Sequence, residues 1–305
     1  MSPERIPSKT ENTESPIIPW SEIQNNLSML TPVDGGNSDA QRGVLTMANG
    51  SKIFVKIGVN EHTKGWAAKE IKSYAFLKEN NYAYIPNLVS TNSDQNGFAM
   101  DALTPEDGWD WSDTWSKERL DATLAATDAL AAIQPDEAHK ELLKPVITDE
   151  DNGWNKLAAS PELQASLLAK LQAISGPDIV TGLTRYVERA SSYKVRHDTL
   201  VHDDVRADNA AWNQSRNEVK IVDWNWLELG DRRIDLAASL THIHKSGFNV
   251  LKDYSDRLDA ETLNWMAGYW LESASKPIWP GGPEKLRNTQ LLAGLTALQL
   301  AEKVG

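Results

Sequence analysis

The chain has 305 residues, 40% of them hydrophobic and 24% charged, with a formal net charge of −12 and no cysteine. That length suits two lobes with cores of their own, and the lack of cysteine excludes disulfides, thiolate metal sites and cysteine nucleophiles. The acidic balance argues against nucleic acid, whose phosphate backbone is held by basic patches that this chain lacks.

In chain order, residues 1 to 16 read as a flexible tail. Met1 to Pro19 is polar and proline-dotted with no apolar signal-peptide stretch. No later segment reaches the ~18 uninterrupted apolar residues of a membrane span. A cytoplasmic protein without a membrane partner is expected. Leu27 to Val33, Ala40 to Met47 and Lys52 to Gly58 read as three short strands, with Asp34-Gly35-Gly36-Asn37 and Ala48-Asn49-Gly50-Ser51 as turns. Glycines in the first turn leave room for backbone N–H groups to approach phosphate oxygens, although a plain hairpin uses them equally well. The third strand carries Lys56 inside an apolar alternation, which taken alone reads as an edge-strand charge facing water. Thr63 to Asn80 reads as a helix with Trp66, Ala67, Ile71, Tyr74, Ala75 and Leu77 on its apolar face and Glu70 at the fringe. Asn87 to Asn92 and Gly97 to Leu103 read as the last strands of this part, and Asp101-Ala102-Leu103-Thr104 connects it to the remainder.

Beyond the connector the pattern is helical. Leu120 to Gln134 is periodic, Ser160-Pro161 pairs a cap with a first-turn proline, and later helices are expected over Leu258 to Ser275 and Glu284 to Lys303. The breaker Pro277-Ile278-Trp279-Pro280-Gly281-Gly282-Pro283 separates the last two. Between these helices lies the segment richest in chemistry, Val201-His202-Asp203-Asp204-Val205-Arg206-Ala207-Asp208-Asn209, with Ile221-Val222-Asp223-Trp224 following. An Asp, an Asn five residues on and a second Asp after an apolar run are the oxygen groups that phosphoryl transfer from Mg-ATP requires. One carboxylate accepts the proton of an attacking hydroxyl, and the carboxamide and second carboxylate suit Mg²⁺, a hard cation that takes oxygen ligands. The segment thus points to a kinase of a small molecule.

The spacing H-x-D-x-x-x-x-N with a following apolar-apolar-Asp-Trp resembles the aminoglycoside phosphotransferase and choline kinase families, small-molecule relatives of the protein kinases. Their loop reads roughly H-G-D-x-x-x-x-N, so Asp203 stands at the glycine position and the match selects Asp204 as catalytic base. The resemblance implies a protein-kinase-like α+β fold, with a small β-rich N-lobe at 17–103, a larger mainly helical C-lobe at 104–305, and ATP between them. It implies that Asn209 and Asp223 hold Mg²⁺. It implies that Lys56 binds the α- and β-phosphates, Glu70 orients it, and the Gly35-Gly36-Asn37 turn covers the phosphates. The connector at Asp101 and Leu103 would present backbone groups to adenine, which does not distinguish ATP from GTP. Asp235, in Gly230-Asp231-Arg232-Arg233-Ile234-Asp235, would buttress the loop, and Arg206 carries no implied chemistry. Only six residues separate Asp223 from Gly230 and no A-P-E follows, so there is little room for the activation segment of a protein kinase.

Several features stay open at this level. Of the 50 residues from Asp101 to Glu150, 13 are acidic and 4 basic. Such a stretch either attracts a cationic acceptor, aminoglycoside-like or another amino alcohol or sugar, or is a solvated surface. Trp109, Trp111 and Trp115 either form a stacking wall or pack internally. His242 and His244 are two apart on a helix, which points them away from each other and not at one ion. A nucleotide-binding switch without catalysis is the alternative to a kinase, and the oligomeric state is not legible.

Overall fold

The computed structural model describes residues 17–33, 39–174, 179, 181–278 and 285–305. The expected tail at 1–16, the turn residues Gly35, Gly36 and Asn37, and the breaker from Trp279 to Pro283 lie outside the described residues. The first part comprises α1 (Trp20–Asn25), β1 (Thr31–Pro32), β2 (Gln41–Thr46), β3 (Lys52–Ile57), α2 (Glu61–Glu79), β4 (Leu88–Thr91) and β5 (Gly97–Asp101). Its strands form one antiparallel sheet in the order β1-β2-β3-β5-β4. The strand carrying Lys56 is thus central, with Arg42 and Phe98 as its cross-strand partners, and not an edge.

The strand expected over Leu27 to Val33 shrinks to Thr31 and Pro32; Leu27–Met29 is a turn of 3₁₀ helix. Ile23, Leu27 and Leu30 recur at helical spacing, and Ile23 is fully buried beneath Leu45, Ile53, Val55 and Val89 with the other two packed alongside. Pro32 also has no N–H with which to extend the ladder. In α2 the N-terminus is fixed by Asn60, whose side chain accepts from Thr63 N at 2.9 Å while Thr63 Oγ1 accepts from Asn60 N at 3.1 Å. Its buried arc is rotated from expectation: Ala75 is exposed and Phe76 buried, because Tyr74, Phe76 and Leu77 join the core of the helical part.

That helical part contains α3 (Lys117–Ala131), α4 (Gly153–Ala159), α5 (Pro161–Ile174), α6 (Leu183–Ser191), α7 (Arg232–Lys245), α8 (Val250–Asp253), α9 (Ala260–Ser275) and α10 (Leu286–Val304). The Ser160 cap forms, accepting from Leu163 N at 3.2 Å. Two ribbons interrupt the helices: β6 (Thr199–Val201) pairs with β9 (Glu228–Gly230), and β7 (Ala210–Asn213) with β8 (Glu218–Ile221). Strands of three or four residues are too short to show a period, which is why the helical reading passed over them. The architecture is the expected α+β arrangement of a small β-rich lobe and a larger helical one. Among the described residues no helix is long and apolar enough to cross a membrane.

Helix α9 is the axis of the helical lobe, touching α4, α5, α6, α7 and α10. It approaches α4 so closely that Gly153 faces Gly268, and a Cβ added at Gly268 would lie 2.5 Å from Trp154 Cδ1. Trp154 is fully buried there, donating from Nε1 to Asn264 O at 2.6 Å and stacking on Tyr186. Gly268→Ala should therefore overpack the crossing and destabilise the protein by about 1–3 kcal/mol. Thermal unfolding checks this, and an unchanged midpoint would show that the helices separate without cost.

Candidate active site

The loop from His202 to Asn209 leaves β6 and enters β7, and each of its ends is anchored by buried polar contacts. His202 is fully buried. Asp204 N–H donates to its Nδ1 at 3.2 Å, so Nε2 carries the proton that reaches Val222 O at 3.0 Å. Burial lowers the His202 pKa and keeps the ring neutral, edge-on to Trp224. Asp235 Oδ1 accepts from Asp203 N at 2.9 Å, and Arg232 holds Asp235 Oδ2 at 2.5 Å while also reaching Thr127 and Asp128 on α3. The buttress expected at Asp235 is thus tied through α7 to α3.

Asn209 Nδ2 donates to Asp204 O at 2.8 Å and Oδ2 at 3.0 Å. Val222 N donates to Asn209 O at 3.0 Å, setting Asp223 beside the loop. Asp223 has a φ of +68°, a left-handed conformation that turns the chain sharply after β8. Burial pushes the Asp204 carboxyl up to about 7 against the pull of Arg206, whose Nη2 is 3.3 Å away. Arg206 also pairs with Asp208 at 2.7 Å, a clamp across the loop.

From the small lobe, Lys56 Nζ meets Glu70 Oε2 at 2.6 Å and Asp223 Oδ1 at 2.9 Å. Burial alone would lower the Lys56 pKa, but the Glu70 and Asp223 charges outweigh it and raise it. Burial pushes Glu70 up to about 7 despite Lys56, and Lys56 outweighs burial at Asp223 to hold it below the usual carboxylate range. Lys56, Glu70, Asp204, Asn209 and Asp223, dispersed over 168 residues, are therefore in one place. Asn225, which belongs to no motif read above, donates from Nδ2 to Asp223 Oδ1 at 2.7 Å.

Two cavities meet here and share Arg42, Lys56 and Asp223. The smaller, about 430 Å³, runs under the sheet past Asn209, Asp101 and Leu103, so the connector residues line it. Trp111 lines it too, with Nε1 donating to Leu103 O at 2.8 Å. Trp109 and Trp115 are buried, the latter beneath the Arg119 guanidinium at 4.4 Å, so those two pack internally. The larger cavity, about 790 Å³, holds Asp203 and Asp204 among walls from Trp66, Trp226, Tyr269 and Trp270. None of the acidic residues between 101 and 150 lines it. His242 also lines it, pushed down to about 3 by burial and edge-on to Trp270, while His244 Nδ1 contacts Phe248 O at 3.1 Å.

A five-stranded sheet over a helical body, with a lysine and glutamate above an Asp-Asn loop, is the arrangement of the kinase-like phosphotransferases. The chain belongs to the APH phosphotransferase enzyme family, whose model matches residues 30–269, and is a small-molecule kinase. Its fold is similar to that of an aminoglycoside phosphotransferase from Alicyclobacillus acidocaldarius, at 10% identity over 96% of each chain and a TM-score of 0.55. It is similar to ADP-bound aminoglycoside phosphotransferase APH(2'')-Ib, at 16% identity over 91% of this chain and 97% of that one, with a TM-score of 0.52. LicA in complex with AMP is also similar, at 11% identity over 92% and 97% and a TM-score of 0.51. No curated protein sequence matches the chain.

The anchoring of the loop yields a stability prediction. Asp235→Ala leaves Asp203 N without its acceptor and Arg232 without its closest carboxylate, so a loss of about 3–5 kcal/mol is expected. Chemical denaturation measures it, and a loss below about 1 kcal/mol would mean that the loop is held elsewhere.

Proposed function

We propose that the protein transfers the γ-phosphoryl group of Mg-ATP to a hydroxyl of a small cationic acceptor, an aminoglycoside-like compound or another amino alcohol or sugar. The observation that carries this reading is the convergence of Lys56, Glu70, Asp204, Asn209 and Asp223 where the two cavities meet. The smaller cavity takes the nucleotide, with Asp101 and Leu103 at the adenine end and a lobe boundary after Leu103. Neighbours of the same fold that carry ADP and AMP support nucleotide use. The larger cavity takes the acceptor.

The donor set fits Mg²⁺. Asn209 spends its Nδ2 on Asp204 and keeps Oδ1 for a cation, and Asp223 adds a carboxylate beside it. No cluster of three or more His, Asp or Glu side chains able to hold a metal occurs among the described residues. An ion that completes its octahedron with phosphate oxygens and water needs only one or two protein ligands. When bound, Mg²⁺ neutralises charge on the phosphate oxygens.

Lys56, kept on Glu70, meets the α- and β-phosphates as a permanent cation. Asp204 aligns the acceptor hydroxyl and takes its proton while the hydroxyl oxygen forms a bond to the γ-phosphorus in line with the leaving group. The bond to the β-bridging oxygen breaks, and ADP carries that electron pair away. Most of the rate then comes from placement and charge stabilisation.

Asp204→Asn should lower turnover by about 10²–10⁴-fold. Its affinity for Mg-ATP should stay close to that of the parent protein, and retained turnover, with loss in Asp203→Asn instead, would identify the other carboxylate as the base. Asp223→Ala should weaken Mg-ATP binding about tenfold or more, measured by calorimetry. Unchanged nucleotide affinity would remove Asp223 from the metal.

A further inference from the structure

Asp203 departs from the pattern that the rest of the loop follows, since the resembled families carry glycine there. Its φ of +61° is in the left-handed region that glycine enters freely and an aspartate only with strain. It lines the larger cavity, and its carboxyl is hydrogen-bonded to that of Glu228, while its buried Oδ2 meets no other donor among the described residues. Its neighbour is Glu228 of β9, a buried residue in register with Val201, whose Oε2 accepts from Val146 N. Burial raises Asp203 well above the usual carboxylate range, and the Glu228 and Asp235 charges add to this.

The other carboxyls around the loop each meet a basic side chain. Glu70 and Asp223 meet Lys56, Asp204 meets Arg206, Asp231 meets Arg233, and Asp235 meets Arg232. Asp203 and Glu228 form no ion pair among the described residues. Half-buried Lys69 on α2 is near enough to feel both charges, but it forms an ion pair with neither. Asp203 and Glu228 rest as a hydrogen-bonded carboxyl pair that holds a proton, and a cation arriving through the cavity beside Asp203 can take the place of that proton, which leaves to solvent. Trp66, Trp226, Tyr269 and Trp270 line the same space with aliphatic residues between them, and its cations, Arg42, Lys56 and Arg206, line it as well.

We propose that Asp203 is the specificity residue of the acceptor site, receiving one ammonium group carried next to the reacting hydroxyl while the aromatic walls take an apolar body. This rests on the acceptor reading of the larger cavity. Because Asp203 and Asp204 are consecutive, they address neighbouring groups of one molecule. The acceptor class is therefore an amino alcohol with a single amine near its hydroxyl and an apolar or aromatic remainder. A polyamine sugar would bring further ammonium groups that meet no carboxylate on those aromatic walls.

The test uses two probes of one shape, phenylalaninol and its counterpart with a methyl group in place of the amine. Binding of each to the full chain is measured by calorimetry, and Mg-dependent ADP release is measured in parallel. The parent protein should bind the amine probe about tenfold or more tightly than the methyl probe. Asp203→Gly, which relieves the backbone strain, and Asp203→Asn, which keeps the shape, should both erase that preference by weakening the amine probe alone. Mg-ATP affinity should be retained in both. A purely structural role for Asp203 would shift both probes together, so equal binding by the parent protein, a preference that survives Asp203→Gly, or no binding of either probe overturns the proposal. Failure of the phosphotransferase reading looks different: the amine preference and its loss would remain, with no ADP released by either probe.

Discussion

Everything in this structure that bears on chemistry depends on one buried ammonium, Lys56 Nζ, held between Glu70 and Asp223. The three residues come from the centre of the sheet, the third turn of α2 and the segment after β8, so the ion triad joins both lobes at a single point. Desolvating these charges is expensive, and only their mutual attraction offsets it; removing one partner from such a group costs about 3–5 kcal/mol because the others are left buried and uncompensated. The sheet can therefore shift relative to the loop only by loosening the triad. A nucleotide phosphate in the adjoining cavity would take over part of the pairing that Asp223 now gives to Lys56.

The acidic side of the site is kept rigid by a second, less conspicuous network. Five carboxyls, Asp203, Asp204, Asp223, Asp235 and Glu228, gather around one short loop, and mutual repulsion would open it if nothing opposed it. Arg206 bridges Asp204 and Asp208, Arg232 bridges Asp235 and Asp128, and Arg257 meets Asp128 from the far side. Neutral His202 contributes a ring that accepts from the loop and donates to Val222 without adding charge. Backbone strain at Asp203 and Asp223 is of order 1–3 kcal/mol each where sterics disfavour positive φ. It persists because fixed partners, Asp235 for one and Lys56 with Asn225 for the other, over-determine each position.

What the sequence revealed follows from how tightly chemistry constrains it. The five-residue step to Asn209 and the apolar run before Asp223 made a cluster of oxygen groups legible, and the structure brings Asp204, Asn209 and Asp223 together, but choosing Asp204 over Asp203 as a candidate base took the resemblance. Lys56 and Glu70 needed the resemblance too, since a lysine in an apolar strand, taken alone, reads as an edge charge until the sheet order shows it to be central. Packing between lobes was not readable: α2 buries Phe76 and exposes Ala75 because two separate surfaces press on it, and a single-helix periodicity describes only one. Glu228 lies in a three-residue strand and gave no local signal. Its position beside Asp203 is set by β6–β9 pairing, in which Val201 stands opposite Glu228, 27 residues on.

The acidic excess shows why charge density along a chain is a poor guide to a charged site. In the stretch from 101 to 150, Asp121 is used by Lys117 and Tyr254, Asp128 by Arg232 and Arg257, and Asp149 by Lys194 and the Val195 backbone. Apart from Lys117–Asp121 these ties join distant segments of the chain, and the exposed ones contribute little beyond their geometry. The larger cavity is shaped by other parts of the chain, with Trp66 from α2, Trp226 after β8, and Tyr269 and Trp270 from α9. Trp66 and Glu70 lie one turn apart on the same helix, which places a cavity wall and the partner of Lys56 on one rigid element. On the proposed reading, a molecule pressing on Trp66 bears on the helix that positions the ammonium at the nucleotide. Acceptor and donor would then be aligned through α2 as well as through the loop between them.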